Sequence, residues 1–188
     1  MSLARLLEPS RSSFSDGTPA SVAQTIDASP AIVFGVIVDP TTYPEWLAGA
    51  QHIRKVDPNW PENGARFHHT VGVGPLRLRD HTAVVSSDPP SELILEAHLG
   101  PLGSALVRFR LREGDESANS TIVELEELPQ RGVIAMAWVK PAQPLVRMAL
   151  WGRNAISLVR LAEIAHDRSH VITSGGPSHG GNNSMKGL

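Results

Sequence analysis

IDASPAIVFGVIVDPTTYPEWLAG, residues 26–49, is the stretch on which the fold turns. Its central run AIVFGVIV suits a buried strand or a helix equally well by hydrophobic pattern alone. Ser29 stands where an N-cap belongs, and Pro30 follows at the first helical position, where a missing N–H costs nothing. The pair Asp39-Pro40 then ends the segment, because the residue before a proline is pushed out of the helical region. A short helix is therefore expected, with a second helical turn around Thr42 to Leu47 that contains Tyr43, Pro44 and Trp46. Just before it, Ser21 to Asp27 (SVAQTID) reads as a first strand.

Six further strands are expected at Gln51–Asp57, Ala65–Val73, Leu76–Ser86, Glu92–Leu99, Ala105–Arg112 and Thr121–Leu128. Gly72, Gly74 and Pro75 mark one reversal, Asp88-Pro89-Pro90 another, residues 100–103 (GPLG) a third and Glu113-Gly114-Asp115 a fourth. Connections this short favour an antiparallel meander, since parallel pairing would need crossover segments. Alternation assigns the faces. Leu76, Leu78, Asp80, Thr82 and Val84 share one side of their strand, and Ala105, Val107, Phe109 and Leu111 share one side of theirs. Arg108, Arg110 and Arg112 on the opposite face stand beside Glu124 and Glu126, which suits cross-strand charge pairs.

The last periodic segment runs from Pro141 to about Ala165. Leu145, Met148, Leu150, Trp151, Ala155, Leu158, Leu161, Ala162 and Ala165 form its apolar stripe, with Arg153, Arg160 and Glu163 left to water. Such a helix covers one face of the sheet. Three regions follow: a flexible arm over residues 1–20, in which Leu3, Leu6 and Leu7 suit docking as a helical turn, a folded domain over 21–166, and a Ser, His, Gly and Asn-rich disordered tail over 167–188.

Composition narrows the function classes. Of 188 residues, 17 are Lys or Arg and 19 are Asp or Glu, for a net charge of -2. That balance offers no general attraction to nucleic acid. The absence of cysteine excludes disulfides, thiolate catalysis and Cys-based metal sites. No window resembles a signal peptide or a membrane span, so a soluble cytoplasmic protein is expected. Metal binding finds no support, since His68 and His69 point to opposite faces and His166, His170 and His179 lie late in the chain. No nucleotide-binding glycine loop, HExxH or nucleophile elbow occurs, and no cofactor is expected.

The order of strand, two short helices, six-strand meander and long final helix resembles the helix-grip fold of the START and plant pollen-allergen (Bet v 1-like) superfamily, SRPBCC. Within it the chain is most similar to bacterial polyketide cyclase/dehydrase-like proteins. The resemblance is carried by residues 26–49, Gly64, Asp80 and Thr82, and by RNAISLVRLAEIA from Arg153. It implies an α+β architecture: a curved seven-stranded antiparallel sheet around the C-terminal helix, with a cavity between them that receives hydrophobic or amphipathic molecules.

Polar residues facing that space carry the functional information, because a buried polar group without a partner is costly. His69 shares its face with Phe67, and a reversal centred on Gly72 to Pro75 places Asp80 opposite Phe67 and diagonal to His69. A carboxylate that orients an imidazole makes a general base suited to removing a proton next to a carbonyl. Thr82 adds a hydroxyl, and a purely structural hydrogen bond between His69 and Asp80 stands beside ligand positioning and catalysis as a role for the pair. Tyr43 and Trp46 suit the mouth of the cavity, with Trp46 alternatively packing the short helix against the sheet, and Phe34, Phe67, Phe109, Met148 and Trp151 either line the space or fill it. The leading expectation is binding of a lipid-like or aromatic small molecule, with Tyr43, Trp46, Phe67, His69, Asp80, Thr82, Phe109, Met148 and Trp151 around it. The alternatives are a polyketide cyclase or dehydratase with His69 as base and Asp80 as its orienter, and a protein-interaction module with a closed cavity. Pairing into a homodimer is slightly favoured over a monomer.

Overall fold

The computed structural model describes residues 20–48, 50–73, 76–98, 103–114, 119–131 and 143–174. Seven strands form one antiparallel sheet: β1 (Ala20–Ile26), β2 (Ala50–Val56), β3 (Arg66–Val73), β4 (Leu76–Asp88), β5 (Glu92–His98), β6 (Ser104–Glu113) and β7 (Thr121–Arg131). Their order is β1-β7-β6-β5-β4-β3-β2, so β2 to β7 run as a meander and β1 returns to pair with β7. Between β1 and β2 lie helix α1 (Pro30–Ile37), a 3-10 turn (Pro40–Thr42) and the single turn α2 (Tyr43–Trp46). The long helix α3 (Gln143–Ser174) follows the sheet. This is the helix-grip fold. All seven expected strands form, with ends displaced by three residues at most.

Local chemistry explains the elements near the site. Ser29 occupies the N-cap of α1 with extended backbone angles, and its carbonyl accepts the Val33 N–H at 3.1 Å. Asp39 caps the following 3-10 turn by accepting from the Thr41 N–H at 3.1 Å. Gly64 turns into β3 with φ +83°, a left-handed angle that disfavours any side chain, and its N–H reaches the Val84 carbonyl at 2.9 Å.

The main core lies between the inner face of the sheet and the helices. Leu93, Leu95, Phe109, Leu111, Val123 and Leu125 meet Val33, Val36 and Ile37 of α1 and Leu158, Leu161 and Ala165 of α3. The opposite face is only partly given to charge. Arg108 pairs with Glu126, and Arg110 reaches Glu124 at 3.0 Å and Glu126 at 3.1 Å, as the alternation predicts. Beside them Ile94, Leu106 and Leu128 form a small second apolar cluster.

Helix α3 departs from the expected reading in two ways. It continues to Ser174, past the point where a tail is expected to begin. No proline or glycine interrupts residues 153–174, and Arg168 gains Asp39 as a partner at 2.8 Å. The helix is also rotated. Its packed line is Asn154, Ser157, Leu158, Leu161 and Ala165, while Met148 and Trp151 are 65% and 54% exposed. The reason is that two polar residues on the packed line have partners: Asn154 Nδ2 donates to Glu127 Oε2 at 3.0 Å, and Ser157 Oγ accepts the Ala48 N–H at 3.1 Å. Arg153, expected in water, is half-buried and ion-paired with Glu127. The arm expected before Ala20, the tail expected after Ser174 and Pro141 at the helix entry fall outside the described residues.

This orientation sets a stability contrast. Leu161→Ala should cost about 2–5 kcal/mol by leaving a cavity, whereas Val171→Ala, at an exposed position, should stay within about 0.5 kcal/mol of the parent. Urea unfolding of the two variants checks this; equal losses would contradict the packed line.

Candidate functional site

The hairpin of β3 and β4 positions the candidate polar groups. Val73 pairs with Leu76, so only residues 74 and 75 separate the strands, and His69 lies directly opposite Asp80 while Phe67 lies opposite Thr82. The expected pairing of Asp80 with Phe67 is thus corrected by two residues along the strand. A shift of two leaves every side chain on its own face, so the inward placement of His69, Asp80 and Thr82 survives.

The imidazole of His69 is buried, and its Nε2 lies 3.0 Å from Thr82 Oγ1. Its Nδ1 is also buried and has no hydrogen-bond partner among the described residues. Burial lowers the His69 pKa to about 4, against a smaller upward pull from Asp80, with Arg54, His81 and His68 adding to the depression. The ring is therefore neutral at pH 7. The Asp80 carboxylate accepts the His81 N–H at 2.8 Å and stands 3.4 Å from His81 Nδ1. Its charge is felt at His69, but the group bonded to the imidazole is the Thr82 hydroxyl. Arg54 staples this end of the hairpin, with Nη2 donating to the carbonyls of His69 at 3.3 Å and Asp80 at 3.2 Å.

Aromatic side chains fill the space on one side of His69. Phe67 lies next to its ring at 5.2 Å between centroids, and Tyr43 and Trp60 meet Phe67 edge-on at 4.8 and 4.9 Å. Trp46 touches Tyr43 and faces Phe109 at 6.1 Å. Tyr43 and Trp46 are fully enclosed, so the expectation of a mouth is corrected, and Trp46 takes its alternative role of packing the short helix into the core. Each finds its polar partner inside its own segment: the Tyr43 hydroxyl donates to the Ile37 carbonyl at 2.8 Å, and the Trp46 indole N–H to Thr42 Oγ1 at 3.1 Å. Burial drives the ionisation of Tyr43 far above its ordinary range. Phe34, Phe67 and Phe109 belong to the same packed core. Trp60 is half-buried and anchored by its indole N–H to the Val38 carbonyl at 2.6 Å.

Across the sheet from Phe67 the inward side chains become shorter. The row that starts at Phe67 continues across β4, β5 and β6 as Thr82, Ala97 and Ala105. These short side chains form the floor of the inner face here; Thr82 and Ala105 are buried, while Ala97 and the neighbouring Val107 retain partial exposure. Asp80 borders it. Met148 and Trp151, expected in the wall, stand on the exposed side of α3 and are not brought to this site.

One buried cluster has no counterpart in the sequence reading. Glu127, on the inner face of β7, holds both Arg153 and Asn154 of α3. Its position in the alternation with Val123 and Leu125 was the available signal. With both partners present the carboxylate is satisfied, and it fixes the helix to the sheet. On the outer face His68, His81 and His98 stand in a row across three strands, with the last two stacked at 4.3 Å. Among the described residues no group of three or more acidic, histidine or cysteine side chains is arranged to hold a metal, and no helix is long and apolar enough to cross a membrane.

Comparison with known proteins agrees with this architecture. A family model described as polyketide cyclase / dehydrase and lipid transport matches residues 19–163. No curated protein matches the chain. Among solved structures, a protein from Nitrosomonas europaea superposes with a TM-score of 0.57 at 12% identity, over 80% of this chain and 95% of that one. A protein from Arthrobacter aurescens gives 0.58 at 14% identity, over 87% and 92%. The di-domain ARO/CYC StfQ from the steffimycin biosynthetic pathway gives 0.58 at 10% identity, over 81% of this chain and 52% of that one. At such identities the likeness is one of fold.

The burial of His69 predicts a pH effect. Its folded-state pKa lies below the ordinary 6.5, so the unfolded chain takes up the proton first as pH falls. The contribution of His69 is full above about pH 6.5, is lost on descending to about pH 4 and levels off below. Urea unfolding across that window should show the parent losing stability more steeply than His69→Phe. His81, also depressed by burial and by His98, acts in the same direction in both proteins, so parallel curves would refute the assignment to His69.

Proposed function

The chain belongs to the polyketide cyclase / dehydrase and lipid transport family, and from that premise we propose that it binds a hydrophobic or amphipathic small molecule on the inner face of the sheet. The apolar body of the ligand lies over the floor of Thr82, Ala97 and Ala105, against Phe67 and Phe109. Its polar end meets His69. The observation that carries this reading is the Nδ1 of His69, buried without a partner among the described residues. A buried nitrogen of that kind costs about 1–3 kcal/mol, and a ligand hydroxyl or carbonyl that bonds to it recovers the loss. Asp80 at the border of the floor tunes the imidazole through its charge. Tyr43, Trp46 and Trp60 act behind Phe67 as a rigid backing, which keeps the wall in place without touching the ligand.

A second reading, cyclisation or dehydration of a polyketide-like substrate, is favoured by one placement: Asp80 directly opposite His69. In that chemistry neutral His69 takes a proton from a carbon next to a carbonyl, and Asp80 stabilises the imidazolium that results. The depression of the His69 pKa to about 4 makes the imidazole a weak base, which is why binding is preferred.

Titration with anilinonaphthalene sulfonate tests the site. The parent should bind it saturably, and His69→Phe should weaken binding by roughly tenfold, about 1.4 kcal/mol or one good hydrogen bond. Unchanged affinity in that variant would overturn the placement of the polar end. If a linear poly-β-ketone is converted by the parent and not by His69→Ala, the cyclase reading replaces simple binding.

A further inference from the structure

The exposed side of α3 carries an apolar stripe that the function above does not use. Met148, Trp151, Ile156 and Val159 are 65%, 54%, 51% and 50% exposed, with Ala155 between them. Their spacing places them along one face of the helix over about 16 Å, at 1.5 Å of rise per residue. Lone exposed apolar residues need no explanation, but a contiguous helical stripe marks an interaction surface. Its two ends are shallow depressions. Ala20 and Ser21 line one together with Met148 and Trp151, and Ala155, Ile156, Val159, Arg160 and Glu163 line the other.

We propose that this stripe is the docking site of the chain's own N-terminal segment, residues 1–19. Three observations select that occupant over a second copy or a foreign partner. The segment joins the described structure at Ala20, which already lies beside Met148 and Trp151 at one end of the stripe. Twelve residues lie between Leu7 and Ala20, enough chain to reach roughly 40 Å when extended and so to cover the whole stripe. The segment also carries Leu3, Leu6 and Leu7 at the i, i+3, i+4 spacing of an apolar helical face, with Arg5 and Glu8 beside them. Running from Ala20 toward Val159, it brings Arg5 and Glu8 near Glu163 and Arg160, charges of complementary sign. The contact is intramolecular, so tethering supplies a high effective concentration that a separate partner would lack.

The absence of native cysteine makes the test clean. Val159→Cys introduces one thiol on the stripe and Val171→Cys one thiol off it, and maleimide labelling rates are measured for each in the full chain. The Val159→Cys thiol should be protected about tenfold, equivalent to about 1.4 kcal/mol of docking, at all protein concentrations, while the Val171→Cys thiol reacts fast throughout. Deleting residues 1–18, or changing Leu6 and Leu7 to Ser in the full chain, should abolish the protection. The double-serine protein keeps the test decisive where the shortened chain fails to fold. Equal rates in the full and double-serine proteins overturn the proposal, and so does protection that grows with protein concentration, which would assign the stripe to a second copy.

Discussion

Phe67 is the point on which the rest of the inner structure depends. Its ring receives Tyr43 from α2, Trp60 from the β2–β3 connection and His69 from two residues further along its own strand. Two segments that are separate in sequence, α2 and the β2–β3 connection, are thereby held at fixed positions relative to β3. Because aromatic pairs prefer edge-on geometry at these separations, the cluster defines orientations as well as volume. The burial of His69 follows from it, and with that burial come the neutral imidazole and the nitrogen that lacks a partner.

The long helix obeys a different constraint. Apolar content alone would turn Met148 and Trp151 inward, yet the helix packs on the line that contains Asn154 and Ser157. Glu127 on β7 selects that line by binding Asn154 and Arg153 together. Removing one member of such a cluster is costly because it leaves a buried charge uncompensated, so the polar contact fixes the rotation and the leucines then pack accordingly. The division of α3 into a packed face along Asn154, Ser157, Leu158, Leu161 and Ala165 and an exposed face along Met148, Trp151, Ile156 and Val159 results from this choice.

Most of the fold was legible in the sequence. Alternation and turn residues located all seven strands, and Ser29-Pro30 with Asp39-Pro40 decided between strand and helix for α1. Alternation also placed His69 and Thr82 on the same inner face. What it could not supply was the axial register, because a slip of two residues preserves every face. The fate of Tyr43 and Trp46 was hidden for another reason: their polar atoms bond to Ile37 and Thr42 within the same short segment, so neither needs water. The helix rotation and its continuation to Ser174 depended on partners far away in sequence, Glu127 and Asp39. Local pattern holds no record of such pairs.

Tyr43 is the one tyrosine in the chain, and it is sealed in the aromatic core with its hydroxyl committed to the Ile37 carbonyl. A phenol so enclosed does not form phenolate at pH values where a free tyrosine would. The ultraviolet absorbance of phenolate in moderately alkaline solution therefore comes from molecules whose core has opened. The protein carries in this ring its own optical gauge of core opening, readable without dye or label.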